Sequence, residues 1–155
     1  MEIMDFLSQK AVTTDLKHTD KQGVVGEMVE LLIDAKEIKD KDSLIKSLLE
    51  REALGSTGIG QGIAIPHAKS GSVRKLVAAF GVSKAGINFD ALDGEPVYIC
   101  FLLVAPPDSA GPHLKALARI SRLLKEKRLR SSLRKANSEK EILEIIKKED
   151  QGVDR

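Results

Sequence analysis

The chain has no tryptophan, one tyrosine, one cysteine and five prolines in 155 residues, and each scarcity removes a class of protein. A single cysteine, Cys100, admits no intramolecular disulfide. It lies in the apolar run Val97 to Val104 with no thiolate-activating charge beside it, so it reads as core and not as a nucleophile. An excess of one charge is missing too: 25 basic against 23 acidic residues leave a formal +2. That balance gives no electrostatic case for nucleic acid as the main partner. Only Lys125 to Lys135 is locally basic, and no aromatic lies within it to stack bases, so it reads as a solvated helix face. No apolar run suits a membrane span, and direct membrane insertion is not expected. The start, Met1 to Phe6, is acidic and does not look like a secretion signal, which leads to the expectation of a cytoplasmic protein.

What is present is a globular balance, 42% hydrophobic and 31% charged. One domain is expected over 1–149, with a frayed tail from Asp150 to Arg155. Asp20 is placed to cap a helix over about 20–36, with Val25, Met28, Val29, Leu32 and Ile33 recurring at helical spacing. Asp40 or Asp42 opens a second helix to about Leu54, turning Ile45, Leu48 and Leu49 inward, and Gly55 ends it. Ser56 to Gly62 is too rich in glycine for a helix and reads as a loop. Ile63 to Ile65 is a short extended segment, and Pro66 biases Ile65 away from helical angles, so His67 should project just beyond a strand end.

Leu76 to Val82 and Val97 to Val104 have strand length, and the second is apolar on both alternating faces, as a central strand covered on two sides requires. Ile87-Asn88-Phe89 suggests a short edge strand before an Asp93-Gly94 turn. Gly111-Pro112 leads into a helix with Leu114, Leu117, Ala118, Ser121 and Leu124 inward and His113 in its first turn. Helices over Leu129 to Arg134 and from Ser138, the last with Ile142, Ile145 and Ile146 inward, complete the order.

Gly58, Gly60 and Gly62 alternate evenly and fit neither the dinucleotide G-x-G-x-x-G spacing nor a phosphate-binding G-K-[ST] loop. His18, His67 and His113 are far apart with no ligand at helical or hairpin spacing, so neither metal nor cofactor is expected. His18 sits in a polar stretch and reads as a surface residue. His67 follows a proline at a strand end beside the glycine loop, whose amides would suit a phosphate.

The run Arg51-Glu52-Ala53-Leu54-Gly55-Ser56-Thr57-Gly58-Ile59-Gly60-Gln61-Gly62-Ile63-Ala64-Ile65-Pro66-His67 closely resembles the active-site signature of fructose/mannitol-class enzyme IIA domains. These belong to the bacterial phosphoenolpyruvate-dependent sugar phosphotransferase system, and the class includes a nitrogen-regulatory type. The resemblance continues through Ile87 to Val97 and through His113 to Leu124. It implies an α/β fold with a mixed sheet of about five strands flanked by helices. It implies that His67 carries the phosphoryl group, with His113 as second active-site histidine and Arg51 as site arginine. His113 would either orient His67 or donate a hydrogen bond to phosphoryl oxygens. The Thr57 hydroxyl would either bond a phosphoryl oxygen or stabilise the glycine loop.

An imidazole suits that role because it is nucleophilic near neutral pH and leaves readily from phosphorus. The resemblance implies phospho-HPr as donor, an enzyme IIB domain as acceptor and sugar uptake as the endpoint. The nitrogen-regulatory type implies instead that phosphorylation of His67 switches binding to other proteins. A binding domain that has lost transfer is a third reading, disfavoured by the presence of Arg51, His67 and His113 together. The sugar and the oligomeric state do not follow from the sequence.

Overall fold

A computed structural model describes residues 1–153. Six strands form one mixed sheet: β1 (Leu7–Thr13), β2 (Gly58–Gly60), β3 (Ile63–Ala64), β4 (His67–Lys69), β5 (Val77–Ile87) and β6 (Val97–Ala105). Five helices accompany them: α1 (Lys21–Asp34), α2 (Lys41–Ala53), α3 (Ala110–Leu124), α4 (Lys127–Lys135) and α5 (Glu139–Val153). The sheet order is β1-β5-β6-β3-β2, with β4 also paired to β6. β5 and β6 run antiparallel, whereas β1 joins β5 and both β3 and β4 join β6 in parallel.

β6 alternates as its sequence requires. Ile99, Phe101 and Leu103 face a core built with α3, α4 and α5, while Cys100, Leu102 and Val104 face a second core under α1 and α2. The α/β class and the doubly covered central strand match the sequence reading. Asp20 caps α1 by accepting from Gly23 N at 2.8 Å, and Asp40 caps α2 by accepting from Ser43 N at 3.1 Å. Among the described residues no helix is long and apolar enough to cross a membrane.

Several local expectations are corrected. β1 went unread because its middle, Ser8-Gln9-Lys10, is polar; it is an edge strand with little apolar alternation to show. Ile87 ends β5 and begins no separate strand, because an irregularity in pairing between Val82 and Ile87 lets one long strand cover both segments. The stretch read as loop contains β2, which pairs antiparallel with β3 through a tight Gly60-Gln61-Gly62 turn. All three turn residues have positive φ, 100°, 58° and 78°.

α3 is rotated from the expected phase. His113, Ala116, Ile120, Leu123 and Leu124 are buried, whereas Leu114 is 69% exposed. The apolar stripe was misread because a histidine holds its first inward position. The tail does not fray at Asp150: α5 continues to Val153, and Asp150 is buried. Its carboxylate accepts from Ile3 N at 2.6 Å and from Arg119 Nε at 2.5 Å, tying the two ends of the chain together. Asp154 and Arg155, the rest of the expected tail, lie outside the described residues.

Candidate active site

β3 and β4 lie on the same edge of β6, Ile63 beside Ile99 and His67 beside Leu103. The break between them falls at Ile65-Pro66, since proline has no N–H to offer a ladder. The Pro66 carbonyl still accepts from Leu103 N at 2.9 Å, and Ile65 N donates to the Thr57 carbonyl at 3.0 Å. His67 is therefore the first residue of a resumed strand, and does not lie beyond a strand end as expected. Sharing register with Leu103, it faces the α3 side of the sheet.

The chain turns from β6 into α3 within a few residues, and the inward face of α3 delivers His113. The His67 and His113 rings meet edge to face, with centroids 5.5 Å apart and planes at 77°. His67 Nδ1 lies 2.8 Å from the Ile65 carbonyl oxygen. A carbonyl can only accept, so the ring proton sits on Nδ1 and the lone pair on Nε2. Burial depresses the His67 pKa below its ordinary value; the Ile65 carbonyl opposes this, the Arg51 charge adds to it and Glu52 counters. Burial also depresses His113, helped by His67 and Lys69. Both shifts favour the neutral ring. His113 Nε2 is buried and has no hydrogen-bond partner among the described residues, a costly state that a ligand oxygen would relieve.

Arg51 stands in the last turn of α2, where its Nη1 donates to the Gly55 carbonyl at 2.9 Å. Beside it, Glu52 occupies the inward stripe of α2 after Leu44 and Leu48 and is buried. Its carboxylate accepts from Thr57 N at 3.2 and 3.3 Å and from the Thr57 hydroxyl, and it pairs with Lys21 Nζ at 3.0 Å. Lys21 also lies over the Phe89 ring and 3.7 Å from Asp90. Thr57 is itself buried. Of its two suggested roles, the structure supplies loop stabilisation: its hydroxyl donates to Glu52 and is not free for a phosphoryl oxygen.

Three of the loop amides are not free to hold a phosphate. The N–H groups of Thr57, Gly58 and Gln61 are taken by Glu52, the Ser56 hydroxyl and Asp93. The site thus gathers His67, His113 and Arg51, backed by buried Thr57 and Glu52 and the half-buried Lys21.

A family model described as "Phosphoenolpyruvate-dependent sugar phosphotransferase system, EIIA 2" matches residues 5–149. The chain belongs to this family. It is 39% identical over 150 residues to the PTS system fructose-specific EIIABC component of Bacillus subtilis, covering 97% of this chain and 24% of that protein. It thus spans about a quarter of that relative's length. It is 35% identical over 148 residues to a nitrogen regulatory protein of Bradyrhizobium diazoefficiens, covering 94% of this chain and 95% of the relative. The crystal structure of nitrogen regulatory protein IIA-Ntr from Neisseria meningitidis superposes with a TM-score of 0.86 at 32% identity, over 93% of this chain and 98% of that one.

Glu52 and Lys21 pack behind this candidate site of the EIIA 2 chain, and sequence reasoning singled out neither. A signal for Glu52 existed: a carboxylate at the fourth-residue spacing of Leu44 and Leu48 stands where an apolar side chain is expected. Lys21 had none, since its pairing with Glu52 joins two helices. His18 stays outside the site, its Nδ1 2.8 Å from Glu27 Oε1.

Proposed function

We propose that this EIIA 2 domain is a phosphocarrier in which His67 Nε2 takes a phosphoryl group from phospho-HPr and passes it to an enzyme IIB domain for sugar uptake. The observation that carries this reading is the bond from His67 Nδ1 to the Ile65 carbonyl, which leaves Nε2 as the nucleophilic nitrogen. Its lone pair forms the new N–P bond while the donor's N–P bond breaks and its electron pair returns to the donor imidazole. The phosphorylated ring then carries Nδ1–H and an N–P bond together, hence a positive charge, which the carbonyl dipole stabilises. In the onward step the ring leaves as neutral imidazole, the form that burial favours.

Arg51 supplies fixed positive charge for the transferring group, and His113, as Nε2–H, donates to a phosphoryl oxygen. Glu52 and Thr57 act behind them by holding the loop that joins Arg51 to His67. These steps need no metal. A cytoplasmic setting fits exchange between soluble partners.

Incubation with phosphoenolpyruvate, enzyme I and HPr should place an acid-labile phosphate on the chain, and His67→Ala should abolish it. Labelling that persists in this variant overturns the assignment. A second reading, in which phosphorylation of His67 controls binding to other proteins, is supported by the close superposition on a nitrogen regulatory protein. The two diverge in one assay: phosphoryl transfer from the labelled chain to a fructose-type IIB domain supports the carrier reading. Labelling by HPr without such transfer supports the regulatory one.

A further inference from the structure

The cations of α4 do not merely face solvent. Lys127, Arg130, Arg134 and Lys135 line one wall of a cavity of about 560 Å³, and Lys84 near the end of β5 lines the other. No acidic side chain lines it. None of these five cations forms an ion pair among the described residues, although Lys17, Lys21, Lys41 and Arg119 all do. In a chain so nearly balanced in charge, five unpaired cations around one concavity repel one another and favour an anionic occupant.

The floor is built and not merely enclosed. Arg134 lies 3.8 Å from the Tyr98 ring centroid, and Arg130 donates to the carbonyls of Leu124 and Lys125 at 2.9 and 2.7 Å. Tyr98 N and Ile99 N both donate to the Gly62 carbonyl, at 2.8 and 3.0 Å, fixing the β2–β3 turn as a side wall.

We propose that this cavity binds a small polyanion bearing two or more phosphoryl groups. Its volume lies in the range of small-molecule sites. Nucleic acid fits less well because the only aromatic lining the cavity already carries Arg134 over its ring. Gly62 and Gly86 pack so closely that a Cβ on either would lie 3.4 or 3.2 Å from the Tyr98 ring. The site is separate from His67. Ile99 lines the cavity and Leu103 neighbours His67, four residues along β6 or about 13 Å. It therefore stands whether or not the carrier reading does.

The test is titration of the isotope-labelled chain with orthophosphate, pyrophosphate and tripolyphosphate, followed by backbone amide NMR and calorimetry. Affinity should rise at least tenfold from orthophosphate to tripolyphosphate, with shifts confined to Gln61, Gly62, Ser83, Lys84 and α4. Lys84→Ala/Lys127→Ala, two exposed positions, should weaken tripolyphosphate at least tenfold, and Lys84→Arg/Lys127→Arg should restore it. Lys10→Ala/Lys46→Ala, with the same charge change elsewhere, should leave binding intact. Shifts centred on His67 and Arg51, equal loss in both alanine variants, or tighter binding of a single-stranded oligonucleotide than of tripolyphosphate would each overturn the proposal.

Discussion

Glu52→Ala isolates the buried carboxylate on which the motif loop rests. The substitution leaves Lys21 without its 3.0 Å partner and the Thr57 amide and hydroxyl without their acceptor. Breaking a buried ion pair from one side costs about 3–5 kcal/mol. Lys21 keeps 19% side-chain exposure and Asp90 at 3.7 Å, so the low end applies, about 3 kcal/mol. For a chain of this length that corresponds to a fall in Tm of about 6–12 °C. Glu52→Gln keeps one accepting oxygen for Thr57 but loses the charge and the second acceptor beside Lys21, so it should cost less than Glu52→Ala without being neutral. Urea unfolding should show the change in midpoint at an unchanged slope. With Thr57→Val, the double variant should lose less than the two singles added, because they share one bond.

The same variant distinguishes a site role from a general loss of stability. Ile146→Ala, in the core on the α5 side, should cost a similar about 2–5 kcal/mol and leave phosphorylation of His67 near normal below its Tm. Glu52→Ala, assayed equally far below its own Tm, should be phosphorylated at least tenfold more slowly. A Glu52→Ala protein within about 0.5 kcal/mol of the parent would refute the reasoning, since that is the range of a surface change. So would labelling indistinguishable from that of Ile146→Ala.

Asp150→Ala should lower stability by about 3 kcal/mol, read from urea midpoints, because the Ile3 amide and the Arg119 side chain both rest on that carboxylate. His113→Ala and Arg51→Ala should each slow phosphoryl transfer in or out by about 10²–10³-fold with the fold intact by circular dichroism; unchanged rates in rapid-mixing assays would remove that residue from the mechanism. Both histidines bind a proton less readily folded than unfolded, so between the unfolded value of 6.5 and the lower folded values stability should fall as pH falls. The acid limb of phosphorylation should likewise have its midpoint below 6.5, and a midpoint above it would contradict the buried neutral ring.

Much of the fold was legible locally. Asp20 announced α1, the pair Asp40 and Asp42 announced α2, and the unbroken apolar run of β6 announced a strand covered on both faces, because caps and periodicity act over one or two turns of chain. The motif from Arg51 to His67 carried the family and supplied the histidine proposed as the phosphoryl carrier. Where a polar residue took an inward place, local reading failed. His113 displaced the apparent stripe of α3, Asp150 was placed at the start of a frayed tail, and Glu52 was named only as one position of the motif.

The sequence by itself determined the helices, the two long strands and the family, and pointed to His67, since these rest on residues close together along the chain. Only the tertiary structure decided which nitrogen of His67 is free, that Thr57 bonds Glu52 and not a phosphate, and that Lys84 joins the cations of α4 around one cavity. The physical reason is the same in each case. A hydrogen bond or a shared electrostatic field depends on where backbone and side chains come to rest, and elements distant in sequence set those positions only when the sheet assembles.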